Sequence, residues 1–142
     1  GPARLFYGDT MPALEAGVVG PLSIDDERVR RVLTDASPAE IEEAGLDADA
    51  SDLHLATDPH GGTGAVCGWH AWPHDVAHIG VLTARASRGT GCGRRAAQSA
   101  IGSAIDRGLL PQWRAAVTNE ASIGLARSLG LTEVGWQLSL PP

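Results

Sequence analysis

Lysine is absent from this sequence, and all 11 basic residues are arginines. A phosphate loop of the form G-x-x-x-x-G-K-[ST] is therefore excluded, because its ammonium group is missing. Two cysteines, Cys67 and Cys92, are too few for a disulfide framework, so a reducing, cytoplasmic setting is expected. No apolar run approaches the ~18 residues of a membrane span. The N-terminus has neither the basic start nor the continuous apolar stretch of a secretory signal, so none is expected. Gly1-Pro2 reads as a protease-cleavage scar and carries no weight in the fold.

What is present points to a globular chain. The 142 residues are 43% apolar and 20% charged, and they are expected to form one domain, residues 1–142. Eighteen glycines are nearly twice the usual ~7% share, which implies many turns or close backbone approaches. The net charge of -6 is uneven: residues 1–82 hold 14 acids and 4 arginines, and residues 83–142 hold 3 acids and 7 arginines. An acidic chain with a basic C-terminal part is a poor general nucleic-acid binder. It suits one compact polyanionic ligand better, and neither nucleic acid nor membrane is expected as a partner.

Periodicity supplies the elements. Ala3–Tyr7 reads as an edge strand, and Gly17–Leu22 as a second one, kept at an edge by Pro21. Ser23 is placed as the N-cap of a helix that buries Val29, Val32 and Leu33. Ser37-Pro38-Ala39-Glu40 is a capping box that opens a short second helix ending near Gly45. Leu53–Thr57, Ala65–Trp72 and Val76–Thr83 read as strands, and the last of them is the strongest. Residues 94–107 form a helix before Gly108. Gln112–Thr118 is a strand, Asn119 caps a helix running to Leu129, and Leu131–Leu140 is the final strand. The order predicts an α+β fold, a mixed, mostly antiparallel sheet with helices on both faces.

The glycine cluster Arg88-Gly-Thr-Gly-Cys-Gly93 lies between the strongest strand and a long helix. Glycines there let the backbone approach a ligand, and the free N–H groups of the helix start face an anion. Arg88, Arg94 and Arg95 flank the cluster and are placed to assist phosphate binding. The spacing does not fit G-x-G-x-x-G, because Arg94 stands where the third glycine belongs. The pattern present is R-x-x-G-x-G. A second marker follows, Asn119-Glu-Ala-Ser-Ile-Gly-Leu-Ala-Arg-Ser-Leu-Gly-Leu131.

Together these two motifs resemble the acyl-CoA signature of the Gcn5-related N-acetyltransferases, the GNAT family. The resemblance covers residues 53–140 well and residues 17–45 loosely. It implies acetyl-CoA as co-substrate. Pantetheine would pair with the backbone near Val81, Leu82 and Thr83. The pyrophosphate would rest on the loop N–H groups of Arg88, Gly89, Thr90, Gly91, Cys92, Gly93 and Arg94. Asn119 and Ser122 would line the pantetheine arm. An acetyl group would pass directly to a primary amine, in a ternary complex, with the oxyanion held by a strand N–H. The acceptor implied is a small molecule. The other reading kept open is a non-catalytic acyl-CoA-binding or regulatory domain.

Three departures from the family pattern stand out. The tyrosine that protonates the leaving thiolate would fall at Ala126. Arg85 stands where a proline is common. Only one strand follows the last helix, so an N-terminal strand or a second copy of the chain, as a homodimer, is expected to complete the sheet. His78 is the candidate base, with His74 and Asp75 nearby; its spacing to Arg88 is one residue off and calls for a strand bulge. Cys67, His70, His74 and His78 have ligand-like spacing, but Pro73 interrupts them and no metal is expected. Trp69, Trp72, Trp113 and Trp136 are expected in the core or a pocket wall. The acids between Asp25 and Asp58 read as solvated helix faces, or as an attraction for a cationic amine.

Overall fold

Branched side chains make Val76–Thr83 the central strand of a seven-stranded sheet. The computed structural model describes residues 2–138. In chain order the elements are β1 (Ala3–Tyr7), β2 (Val18–Leu22), α1 (Glu27–Asp35), α2 (Pro38–Ala44), β3 (Ser51–Ala56), β4 (Ala65–Trp72) and β5 (Val76–Thr83). A single 3-10 turn at Arg85–Ser87 follows, then α3 (Cys92–Asp106), β6 (Leu110–Ala116), α4 (Glu120–Ser128) and β7 (Thr132–Gln137). The strands lie in the order β2-β3-β4-β5-β6-β1-β7, and β5–β6 is a parallel pair among antiparallel neighbours. The expected α+β class, with helices on both faces, is the one observed.

Period-2 alternation sorts side chains between two cores. On one face, Cys67 and Trp69 of β4 and Ile79 of β5 pack with Ala96, Ala97, Ala100 and Ile101 of α3 and Ile123 and Ala126 of α4. On the other, Leu53 and Leu55 of β3, Val66 and Leu82 pack under Val29 and Val32 of α1. Alanine dominates the inner side of α3, which lets the helix lie close to the sheet.

Several local expectations change. Asp26, not Ser23, caps α1, its carboxylate accepting from Arg28 N–H at 2.9 Å. Ser37 and Glu40 form the capping box as read. The third helix starts at Cys92, two residues earlier than expected, with Gly91 as its N-cap. Trp69 and Trp113 are buried, but Trp72 and Trp136 are exposed. Leu140 lies outside the described residues. No bulge interrupts β5, which pairs residue for residue with β4.

The largest change concerns β1. It is not an edge strand: it lies between β6 and β7, antiparallel to both. The N-terminal strand thus supplies the missing strand from within the chain. Phe6 anchors it, fully buried in the α3–α4 core. Phe6→Ala should destabilise the protein by about 3–5 kcal/mol in denaturant titration. A loss under ~1 kcal/mol would mark β1 as a frayed edge.

A polar plug crosses the α3 core. Ser99 Oγ and His54 Nδ1 lie 2.6 Å apart, and His54 Nε2 is buried without a partner. Burial holds the His54 imidazole below its ordinary value of 6.5, against a smaller opposing pull from Asp52. The unfolded chain therefore binds a proton that the fold refuses, and stability should fall as pH drops below that value. Urea midpoints at about pH 7.5 and about pH 5.5 should differ more for the unaltered chain than for His54→Gln. Equal differences would remove His54 as the cause.

Candidate functional site

Strands β5 and β6 pair only from Val76–Leu110 to Ile79–Trp113. Beyond that point they part, while β5 stays paired with β4 as far as Thr83. Backbone groups of β5 that face β6 are left without a strand partner there. Gly80 stands at the fork. A Cβ at this position would run into the carbonyl oxygen of Ala44, so glycine alone lets the end of α2 approach the strand. A cavity of about 540 Å³ opens in the fork.

One end of the cavity is the glycine loop. Gly89 and Gly91 have φ of 76° and 84°, a region that side chains disfavour. No side chain caps α3, so the N–H groups of its first turn remain open to an anion. The loop is braced from below. Ser87 Oγ donates to Asp58 Oδ2 at 2.7 Å and accepts from Gly64 N–H at 3.0 Å. The Ser87 hydroxyl, with the His60 N–H, holds the Asp58 carboxyl below the usual carboxylate range. Thr90 Oγ1 donates to the Ser87 carbonyl.

The side walls come from three elements. Glu40 of α2 accepts from Arg88 at 2.6 Å, with Arg85 at 3.8 Å. Asn119 Oδ1 caps α4 by accepting from Ser122 N–H, and its Nδ2 donates to Glu43 Oε1, both at 3.1 Å. Trp113 Nε1 donates to Ser122 Oγ at 3.0 Å, which fixes the hydroxyl at the cavity wall.

A second cavity, about 420 Å³, shares Glu43, Ile79 and Arg114 with the first. His78 lines it. Gln112 Nε2 donates to Tyr7 Oη at 2.5 Å, which leaves Gln112 Oε1 to accept from His78 Nδ1 at 3.0 Å. Nδ1 then carries the ring proton, and Nε2 holds a lone pair. The Trp72 ring stacks on the imidazole, with centroids 4.2 Å apart and an 8° tilt. Burial lowers the His78 pKa below the ordinary imidazole value; Gln112 opposes this, and His70 and Arg114 add to it. The ring is thus held neutral near pH 7, ready to accept a proton.

Of the residues singled out from sequence, Val81, Leu82, Thr83, Arg88, Gly89, Gly91, Gly93, Arg94, Asn119 and Ser122 surround the first cavity. Thr90 and Cys92 do not line it; the Cys92 side chain is buried, 3.6 Å from the Thr57 carbonyl. His78 lines only the second cavity. Arg95 turns away from the loop to the carbonyls of Thr57, Ala16 and Gly17. Ala126 is buried in the core and does not reach the cavity. Cys67 and His70 lie on opposite faces of β4, and among the described residues no cluster is placed to hold a metal ion. Trp113 is the pocket-wall tryptophan that the sequence allowed, whereas Glu43, Arg114, Gln112 and Tyr7 were not legible as site residues. Gly80 was also missed, although a lone glycine inside a strong strand is a signal that could have found it.

Gly80→Ala should push α2 off β5 and cost about 1–3 kcal/mol in chemical denaturation. Unchanged stability would mean that the α2–β5 approach is slack.

With this geometry in view, the likenesses to known proteins can be read. A family model for GNAT acetyltransferases matches residues 64–135. No curated protein matches the sequence. The chain is similar to the solved structure of a GNAT-family protein from Novosphingobium aromaticivorans, with 20% identity and a TM-score of 0.70, over 95% of this chain and 60% of that one. It is also similar to a GCN5-related N-acetyltransferase-like protein from Streptococcus suis, with 18% identity and a TM-score of 0.62, over 94% and 58%. A GNAT-family acetyltransferase from Colwellia psychrerythraea matches at 14% identity and a TM-score of 0.64, over 93% and 52%. At these identities the likeness is one of fold, and the chain spans little more than half the length of those proteins. The matched family region runs from the start of β4 into β7 and takes in the parted strands, the glycine loop and α4, so this chain belongs to the GNAT acetyltransferase family.

Proposed function

We propose that the chain transfers an acetyl group from acetyl-CoA to a primary amine of a small molecule, the two substrates meeting where the cavities join at Glu43, Ile79 and Arg114. The observation that carries this reading is the fork between β5 and β6, set directly beside an uncapped, glycine-opened helix start. The residues present fit the cofactor. The open first turn of α3 and Arg94 suit a pyrophosphate, and the unpaired edge of β5 at Val81–Thr83 suits the amides of a pantetheine arm. Acetyl-CoA supplies an acyl group already activated as a thioester.

The chain's own work is positioning and proton removal. His78 Nε2 takes the proton from the acceptor ammonium, directly or through a water. Gln112 and Tyr7 keep the ring in the tautomer that this needs. Ser122, tied to Trp113, keeps the cavity wall in place. Ala126 offers no proton to the leaving group, so the chain leaves that step to solvent. A thiol's ordinary pKa near ~8.5 makes the demand small around neutral pH.

Calorimetric titration with acetyl-CoA, with NAD as control, tests the first half. Binding of acetyl-CoA alone is expected, and Gly91→Val should abolish it by forcing φ of 84° on a branched residue. Turnover over an amine panel tests the second half. His78→Ala should lower kcat by about 10²–10⁴ while acetyl-CoA affinity holds. Tight binding without turnover is the outcome expected of a non-catalytic acyl-CoA-binding or regulatory domain, a reading that the buried Ala126 favours. No binding at all would overturn both.

A further inference from the structure

The second cavity carries opposite charges on facing elements. Glu43 comes from α2, Arg114 from β6 and His78 from β5, and all three line this cavity. The remainder of the lining is uncharged, including Ala3, Ile79, Ala116 and Thr118.

Arg114 is one of four arginines without an ion pair among the described residues, with Arg30, Arg94 and Arg95, and of these only Arg114 lines the second cavity. Seven of the 11 have a carboxylate within 4.0 Å, as expected in a chain of net charge -6. Arg95 is spent on backbone carbonyls. Arg114 has no ion pair among the described residues, and only its Nε is engaged, donating to Gln137 Oε1 at 3.0 Å. That bond orients the guanidinium plane and, among the described residues, leaves both terminal nitrogens without a partner. Two parallel N–H donors in one plane match a carboxylate. Glu43 is the complement. Asn119 Nδ2 occupies its Oε1 at 3.1 Å, and among the described residues Oε2 has no hydrogen-bond partner, which leaves it able to hold an ammonium.

An acceptor that carried only positive charge would meet Arg114 at the mouth of the reaction site and be repelled. An acceptor with an anionic group close to its amine satisfies both walls at once. We infer that the acceptor is an amine that also bears a carboxylate, of the α-amino acid class, with its carboxylate on Arg114 and its ammonium between Glu43 and His78. The inference deepens the acetyl-transfer reading and rests on it for the identity of the reacting group.

Two measurements test it. The first is steady-state acetyl transfer over the standard amino acids and their carboxamides, for the full chain and for Arg114→Gln. Free acids should exceed their amides in kcat/KM by about ten- to a hundredfold, and the variant should collapse that ratio towards one. Amides equal to or better than the acids, or a ratio that survives in Arg114→Gln, would overturn the inference while leaving acetyl transfer intact. The second is calorimetry of the same amino acids with the chain saturated in CoA, which reads the site without turnover. Binding of acids that weakens at least about tenfold in Arg114→Gln supports the site even if no transfer is seen, and in that case acetyl transfer alone falls. No binding and no transfer for any free acid overturns the inference.

Discussion

The candidate site of this molecule depends on where β5 and β6 stop pairing. Four register pairs, from Val76–Leu110 to Ile79–Trp113, hold the two strands together. A parallel pair normally continues as long as both strands do, because each abandoned backbone group costs free energy if buried. Here the end of α2 lies close against the strand at Gly80, the point beyond which β5 and β6 separate. The separation exposes one edge of β5 along a cavity and directs that edge at the glycine loop. The loop adds a set of open N–H groups at the start of α3. A strand edge and a helix start, both short of partners, therefore meet in one place.

The charge imbalance along the chain also gains a spatial meaning. The acidic N-terminal part and the basic C-terminal part meet across the site. Glu40 pairs with Arg88, Glu43 accepts from Asn119, and Asp35 accepts from the Arg85 backbone N–H at 2.6 Å. Each exposed pair is worth little alone, roughly 0–1 kcal/mol. Their joint effect is geometric: α2 is tethered to the loop and to α4, and the cavity wall is thereby defined. Further round, Asp52 ties β3 to α3 through Arg107 at 3.2 Å and through Ser103.

Legibility followed the range of the physics. The capping box at Ser37, the branched residues of β5 and the glycine cluster are features that act within a few residues, and the structure repeats them. The position of β1 escaped those rules. ARLFY reads as a short strand whether it lies at an edge or in the middle of a sheet; Phe6 settles into the core only because β6 and β7 leave a strand-wide gap. The two misplaced tryptophans have a similar cause. Trp72 and Trp69 both belong to β4, but three residues apart they face opposite sides of the sheet: Trp69 packs with α3, and Trp72, at the end of the strand, stacks on His78. Arg95 shares its sequence neighbourhood with Arg94, yet one helical step rotates it by about 100°, away from the loop and onto the Thr57 carbonyl.

The sequence by itself determined the element order, the α+β class and the loop that opens α3, because periodicity, capping and the freedom of glycine are written in neighbouring residues. It also carried the two motifs on which membership of the GNAT family was first read. Tertiary structure alone decided which side chains line the second cavity. Glu43, His78 and Arg114 lie on three different elements, and nothing local relates them. They converge because α2 is seated on β5 and β5 is paired with β6, and contacts of that range depend on topology rather than on spacing along the chain.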